Sequence, residues 1–297
     1  MTITNKLNLP AGLMKAVSTE RHNAEGCLSA TTLIQGVKQI ILTDRHWEEL
    51  SDDVSDRIWA IWGQAVHSLL ESEGENDFSE QEMAYQAGDI TITGRIDNYD
   101  MKNGIICDYK TASVYKVKAA DYEDWYLQGM IYAWLLSKNR FPVNRCRFIA
   151  LLKDHSKTEA KREYQYPKLP VYVYEFPVTA QGLFKIGLFI KHKVDEYKRC
   201  IQLADDTIPP CTPEERWDRP PKFAVMKDGL KRAVRLFDDR EAADRLAEEK
   251  GAGHYVEHRP GESVKCRSYC LCCDYCDYYR KSVLGAGTEN AGEKAAA

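Results

Sequence analysis

Two aspartates and a lysine stand among isoleucines in GRIDNYDMKNGIICDYKTA, residues 94–112. Period-2 alternation puts Ile90, Ile92 and Ile96 on one strand face and Thr91, Thr93, Arg95 and Asp97 on the other. On the return strand Ile106, Asp108 and Lys110 share a face, with the last two roughly 7 Å apart. Asn103-Gly104 marks the turn between the strands. Such a hairpin brings Asp97 near Asp108, and two carboxylates held close repel unless a cation sits between them. Hard divalent cations take oxygen ligands of this kind. A lysine beside one can orient a water or stabilise charge developing on a phosphate. The plain alternative is a surface hairpin with salt-bridged charges.

Three more polar residues belong with this set. His67 lies four residues after Gly63 on one helix flank. A helix-interior glycine costs about 1 kcal/mol relative to alanine, so its position implies a close approach to the backbone. Gln128 and Tyr132 are also four apart, on a helix otherwise lined with Trp125, Leu127, Ile131 and Leu135. A second kind of chemistry is signalled by Cys266, Cys270, Cys272, Cys273 and Cys276, packed into eleven residues. In the reducing compartment expected here, clustered thiols point to metal rather than disulfides. The group is compact, so a further ligand must come from elsewhere, and Cys211 is the natural choice. Cys27, Cys107, Cys146 and Cys200 are scattered and read as buried small hydrophobes.

The elements that must position these residues are legible in outline. Residues 28–44 and 52–73 read as helices, the second with Val54, Ile58, Ile61, Ala65 and Leu69 at helical spacing. Strands follow at 79–86, 89–100 and 103–112. A helix over 119–139 takes Asp121 as its N-cap. Two further strands and a long helix from 180 complete an α/β unit on a central mixed sheet flanked by helices. After about residue 205 a Pro-rich connector leads to a strand, helix and strand unit closed by the cysteines. The expected organisation is a core over 1–205, a small cysteine-rich C-terminal module over 206–284 and a disordered tail over 285–297.

Composition narrows the function classes. No apolar run reaches the roughly 20 residues of a membrane span, and the first residues lack the apolar core of a signal peptide. The expectation is therefore no membrane partner and a cytoplasmic setting, in a bacterium or a phage-infected host. Net charge is −4, yet residues 138–168 hold nine Lys and Arg against three acids. That is the stripe a phosphate-tracking surface needs, or simply a solvated face. Trp125, Tyr126, Trp134, Tyr164 and Tyr166 lie around it, able either to stack single-stranded bases or to pack a core.

The order GxxxH, GRID, DYK and QxxxY, carried by Gly63–His67, Gly94–Asp97, Asp108–Lys110 and Gln128–Tyr132, resembles the RecB-like nucleases of the PD-(D/E)xK superfamily. The resemblance implies a restriction-endonuclease-like core and a DNA exonuclease, acting alone or with a recombination or repair partner protein. It implies that His67, Asp97, Asp108 and the Tyr109 carbonyl hold Mg2+ or Mn2+. Lys110 would activate the attacking water, and Gln128 and Tyr132 would steady the lysine and the DNA backbone. Glu82 stands where related enzymes often carry an acid. One distant cysteine with three near the C-terminus is similar to the iron–sulfur nucleases of the AddB and CRISPR-adaptation type. It implies a 4Fe–4S cluster on Cys211, Cys266, Cys270 and Cys276, with zinc on the same thiolates as the alternative. The first gap here is one residue longer than in those relatives, so Cys272 or Cys273 can replace Cys270. Two other readings compete: a nucleic-acid-binding module without catalysis, and a zinc-dependent interaction protein.

Overall fold

The structure, a computed structural model, describes residues 1–17, 26–72 and 79–284. The expected disordered tail lies outside them. Contacts divide the chain into two units: Met1–Gln35 with Glu48–Ile201, and Gly36–Trp47 with the chain from Gln202 onwards.

The first unit opens with β1 (Thr2–Thr4), α1 (Ala11–Val17), β2 (Cys27–Ser29) and α2 (Ala30–Leu33). After α3 (Val37–Arg45), which belongs to the second unit, come β3 (Ser51–Asp53), α4 (Val54–Ser72), β4 (Ser79–Ala87), β5 (Ile90–Asp100) and β6 (Ile105–Ala112). It closes with α5 (Val114–Ala119), α6 (Glu123–Lys138), β7 (Arg145–Leu152), α7 (Lys157–Arg162), β8 (Val171–Pro177) and α8 (Ala180–Cys200). The central mixed sheet runs β2-β5-β6-β7-β8, with β4 also paired to β5. Strands β2–β5 and β6–β7 pair parallel and the rest antiparallel. This is the expected α/β restriction-endonuclease-like core.

Helices cover both faces. Gln128 on α6 reaches Asp108 of β6, whereas Gly63 on α4 lies beside Thr111 of the same strand. Asp108 and Thr111 have opposite parity, so α6 and α4 sit on opposite sides. The α6 side holds the densest apolar packing. Ile92, Ile96, Ile106, Ile131, Leu135, Leu136 and Phe148 are all essentially without solvent contact. Each such burial contributes about 1.5–3 kcal/mol.

Asp53 sets where α4 starts. Its carboxylate accepts from Ser55 N and Oγ, and its other oxygen from Thr4 Oγ1 and Lys6 N. These hydrogen bonds, that from Thr4 foremost, hold the carboxyl well below its ordinary 3.8. A depressed carboxyl contributes stability above its unfolded value and loses it as pH falls. Asp53→Ala is therefore expected to lower Tm by about 2–4 °C at pH 7. The gap from wild type should narrow below pH 3.8, as thermal melts across pH will show.

Several sequence expectations need correction. The helix read over 28–44 is a strand and two helices. Gly36 caps α3, and a Cβ there would lie 2.4 Å from Cys211 Sγ, so packing selects glycine where the helix breaks. The N-cap of α6 is Tyr122, not Asp121. The Tyr122 ring stacks on Tyr172, Tyr174 and Trp125, and that aromatic packing outweighs a side-chain cap. The apolar stripe of α4 is buried only at its start: Val54 has no solvent contact, but Leu69 is 64% exposed. Cys146 and Cys200 are buried as expected, whereas Cys27 and Cys107 are partly exposed.

In the second unit α3 is joined by β9 (Asp218–Arg219), β10 (Lys222–Lys227), β11 (Arg235–Phe237), α9 (Arg240–Lys250), β12 (His254–Arg259), β13 (Glu262–Ser263) and α10 (Val264–Ser268). Strands β11-β10-β12 form an antiparallel sheet carrying α9, and β9 pairs with β13. Polar contacts tie α3 to the distant chain. Lys38, almost fully buried, donates to Ile208 O at 2.8 Å and pairs with the Asp277 carboxylate. His46 stacks on Tyr275 with ring centroids 3.9 Å apart and donates to Asp205.

Candidate active site

The carboxylates meet because β5 changes neighbours. On one edge it pairs with β4 from Ile90 to Asn98. The other edge pairs with β2 over Thr91–Thr93 and with β6 only from Asn98 to Asp100. Between those stretches the backbone of β5 leaves β6, and Asp97 bridges the gap with its side chain, its Oδ2 accepting from Tyr109 N at 2.8 Å. A strand residue sends its N–H and C=O to the same edge, so the Tyr109 carbonyl faces the gap too. His67 enters from α4, with Nδ1 3.4 Å from Asp97 Oδ1.

From the α6 side the gap is closed by Asp108, only 1% exposed. Lys110 Nζ pairs with its buried Oδ1 at 2.6 Å. Gln128 Nε2 donates to Asp108 Oδ2 at 3.4 Å and to Tyr132 Oη at 2.8 Å. Gly94 makes room for this pair. A Cβ there would come within 3.0 Å of the Tyr132 ring and 2.7 Å of Leu135 Cδ1. Burial pushes the Asp108 carboxyl up, to about 6; the Lys110 ammonium opposes this and the Asp97 charge adds to it.

The donor set suits a hard divalent cation. Two carboxylates and an imidazole border one gap, with a backbone carbonyl on the same strand edge, and the buried carboxylate is paired with the Lys110 ammonium. Among the described residues, no three His, Cys, Asp or Glu side chains already stand at metal-ligand spacing. All seven expected site residues of this unit (His67, Asp97, Asp108, Tyr109, Lys110, Gln128 and Tyr132) meet at or beside the gap. Glu82 is not among them: it is exposed and stands opposite Arg95 on β4. Gly63 departs from expectation as well, since its nearest approach to other packing is 3.8 Å, to Thr111 Oγ1. Of the aromatic residues considered for stacking, Trp125, Trp134 and Tyr166 are core, while Tyr126 and Tyr164 are exposed. Sequence reasoning missed Gly94 as the residue that admits Tyr132; a glycine inside a strand is the signal that marks such an approach.

In the second unit Cys211, Cys266, Cys270, Cys272, Cys273 and Cys276 line one small cavity of about 20 Å³ with Lys38 and Arg216. Burial pushes the Cys211 thiol up to about 11. Burial, with neighbouring Cys270, Cys211 and Cys276, pushes Cys266 to about 12. Cys270 is raised further, first by its contact with Cys272. The four expected ligands share the cavity with both extra cysteines, and Cys272 is the most buried of the six.

Residues 21–280 match the sequence profile of the PD-(D/E)XK nuclease superfamily. No curated protein gives a significant match. Among solved structures, the chain is similar to SSO0001, with 19% identity, a TM-score of 0.43, and 62% of this chain and 83% of that one covered. It is also similar to an alkaline exonuclease from Laribacter hongkongensis, with 8% identity, a TM-score of 0.38, and 60% and 90% covered. A phage-related exonuclease from Haemophilus somnus 129PT gives 14% identity, a TM-score of 0.36, and 64% and 93% covered.

Proposed function

The chain belongs to the PD-(D/E)XK nuclease superfamily, and from that premise we propose that it is a Mg2+- or Mn2+-dependent deoxyribonuclease that hydrolyses phosphodiester bonds at DNA ends. The observation that carries this reading is Asp108, a buried carboxylate paired with the Lys110 ammonium and set across the gap from Asp97. Burying a carboxylate is costly unless it is paired or ligates a cation.

His67, Asp97, Asp108 and the Tyr109 carbonyl would hold the cation. Bound there, it would neutralise phosphate charge and acidify a water. Lys110, anchored beside Asp108, positions the attacking water and takes up charge as the phosphate becomes more negative. Gln128, fixed by Tyr132, keeps the Asp108 carboxylate oriented. In the second unit, Cys211, Cys266, Cys270 and Cys276 would hold a 4Fe–4S cluster of structural role, with zinc on the same thiolates as the alternative.

The biological setting proposed is cytoplasmic DNA recombination, repair or phage DNA processing, alone or with a partner protein. No helix among the described residues is long and apolar enough to cross a membrane. End-directed action is tested with linear and covalently closed circular DNA in Mn2+. The linear form should be degraded to nucleotides and the circle spared; nicking of the circle at a comparable rate would make the enzyme an endonuclease.

A further inference from the structure

Helix α4 carries Trp59, Gly63 and His67 at i, i+4 and i+8, one above another on a single face. The Trp59 ring therefore stands about 12 Å along the axis from the His67 imidazole. Trp59 is 56% exposed and Trp62, one turn on, 57%. Tryptophan is highly buried on average, and two such rings together are unusual for a surface with nothing to bind.

The Trp59 ring is also held in place. Lys153, just past β7, sets its Nζ 4.2 Å from the ring centroid. Its backbone N–H donates to Ala112 O at the end of β6, so ring and ammonium stand beyond the strand that carries Asp108 and Lys110. Asp154, next in the chain, feels the Lys153 charge, but its carboxylate is held by other donors. The Asp154 carboxylate is engaged by Ser113 Oγ and Val114 N at 2.7 Å each, and Asp56 lies a turn before Trp59. Between Trp59 and His67 stands Gly63, which has no side chain and lies beside Thr111 of β6. No packed atom comes nearer than 3.8 Å to where its Cβ would be, so the protein interior does not require glycine there.

An aromatic face with a fixed ammonium beside it suits an unstacked base and its phosphate. We propose that Trp59 and Lys153 form a nucleobase-stacking subsite for a single DNA strand, whose backbone runs along α4 to the gap between Asp97 and Asp108. The proposal rests on the nuclease reading of that gap. One face of the indole takes the base, and the ammonium over the other face reaches the neighbouring phosphate. The 12 Å run corresponds to about three nucleotides at the 3.4 Å rise of one strand. Lys153 belongs to the basic stretch over 138–168, several of whose other cations are engaged within the protein. Arg145 and Arg147 pair with Glu175, and Lys168 donates to backbone carbonyls.

The test separates binding from cleavage. Binding of a fluorescein-labelled single-stranded oligonucleotide is read by anisotropy in EDTA, and its turnover is read in Mn2+. Trp59→Ala should weaken binding about 5- to 150-fold, the range of one lost base stack, and raise KM with kcat unchanged. Trp59→Phe should restore most of the loss. Lys153→Met, which leaves the ring in place, should reduce the slope of log K against log salt by about 0.7. Equal binding by wild type and Trp59→Ala, or a loss confined to kcat, would overturn the subsite even if DNA is cleaved. Trp59-dependent binding without any cleavage by wild type would uphold the subsite and sink the nuclease reading instead.

Discussion

Lys110→Met should lower kcat for DNA cleavage by about 10²- to 10⁴-fold while leaving the protein folded and able to bind Mn2+. The side chain is only partly buried and its Nζ rests 2.6 Å from Asp108 Oδ1. Among the described residues its ammonium is thus the positive group set directly on the buried carboxylate, at the mouth of the gap. Methionine keeps the apolar stem that runs past Phe148, whose ring centroid is 5.6 Å from the ammonium, and removes only the charge. The loss is therefore assigned to the reaction rather than to packing. Steady-state kinetics with a melt and a Mn2+ titration on the same preparation separate the two. A variant with wild-type kcat would remove Lys110 from the mechanism.

The second large effect is expected at the cysteines. If four thiolates hold a metal group, the binding free energy is folding free energy for the second unit, on the order of 10 kcal/mol. That is comparable to the whole stability of a typical domain. Cys211→Ser, Cys266→Ser or Cys276→Ser should then abolish metal content and the melting transition of this unit. An ordinary substitution costs about 0.5–3 kcal/mol. Anaerobically purified wild type should be coloured and contain about four iron atoms per chain. Colourless protein with one zinc per chain would favour the alternative, and protein without either metal would refute the proposal. Comparing Cys270→Ser with Cys272→Ser and Cys273→Ser decides which thiol completes the set, a point the extra residue between Cys266 and Cys270 leaves undecided.

The chemistry was more legible than the architecture that delivers it. Asp108 and Lys110 share a face because a strand alternates, and Gln128 meets Tyr132 because a helix repeats; both periods are local and can be read from sequence. The meeting of Asp97 with Asp108 depends instead on β5 pairing first with β2 and then with β6. That is a non-local choice with no signature in the hairpin itself. The break at Gly36 is similar. Residues 28–44 hold a helical pattern, but the Cys211 sulfur, far along the chain, occupies the space a side chain at 36 would need. Trp59 was hidden for the opposite reason. The stripe Val54, Ile58, Ile61, Ala65 and Leu69 assumed one buried face along all of α4, whereas of that set only Val54 is buried and Ala65 and Leu69 are exposed.

The opening set of charges is resolved by the gap in the sheet: Asp97 uses its side chain where that edge of β5 has no backbone partner, and Asp108 is buried against the Lys110 ammonium. The most direct test is release of nucleotides from 5′- and 3′-labelled linear DNA by wild type and Asp108→Asn, each in Mn2+ and in EDTA. Wild type should release label only with Mn2+, and Asp108→Asn should release none above background while keeping its fold. Cleavage in EDTA, or cleavage by Asp108→Asn at the wild-type rate, would contradict a cation-dependent site built on Asp108.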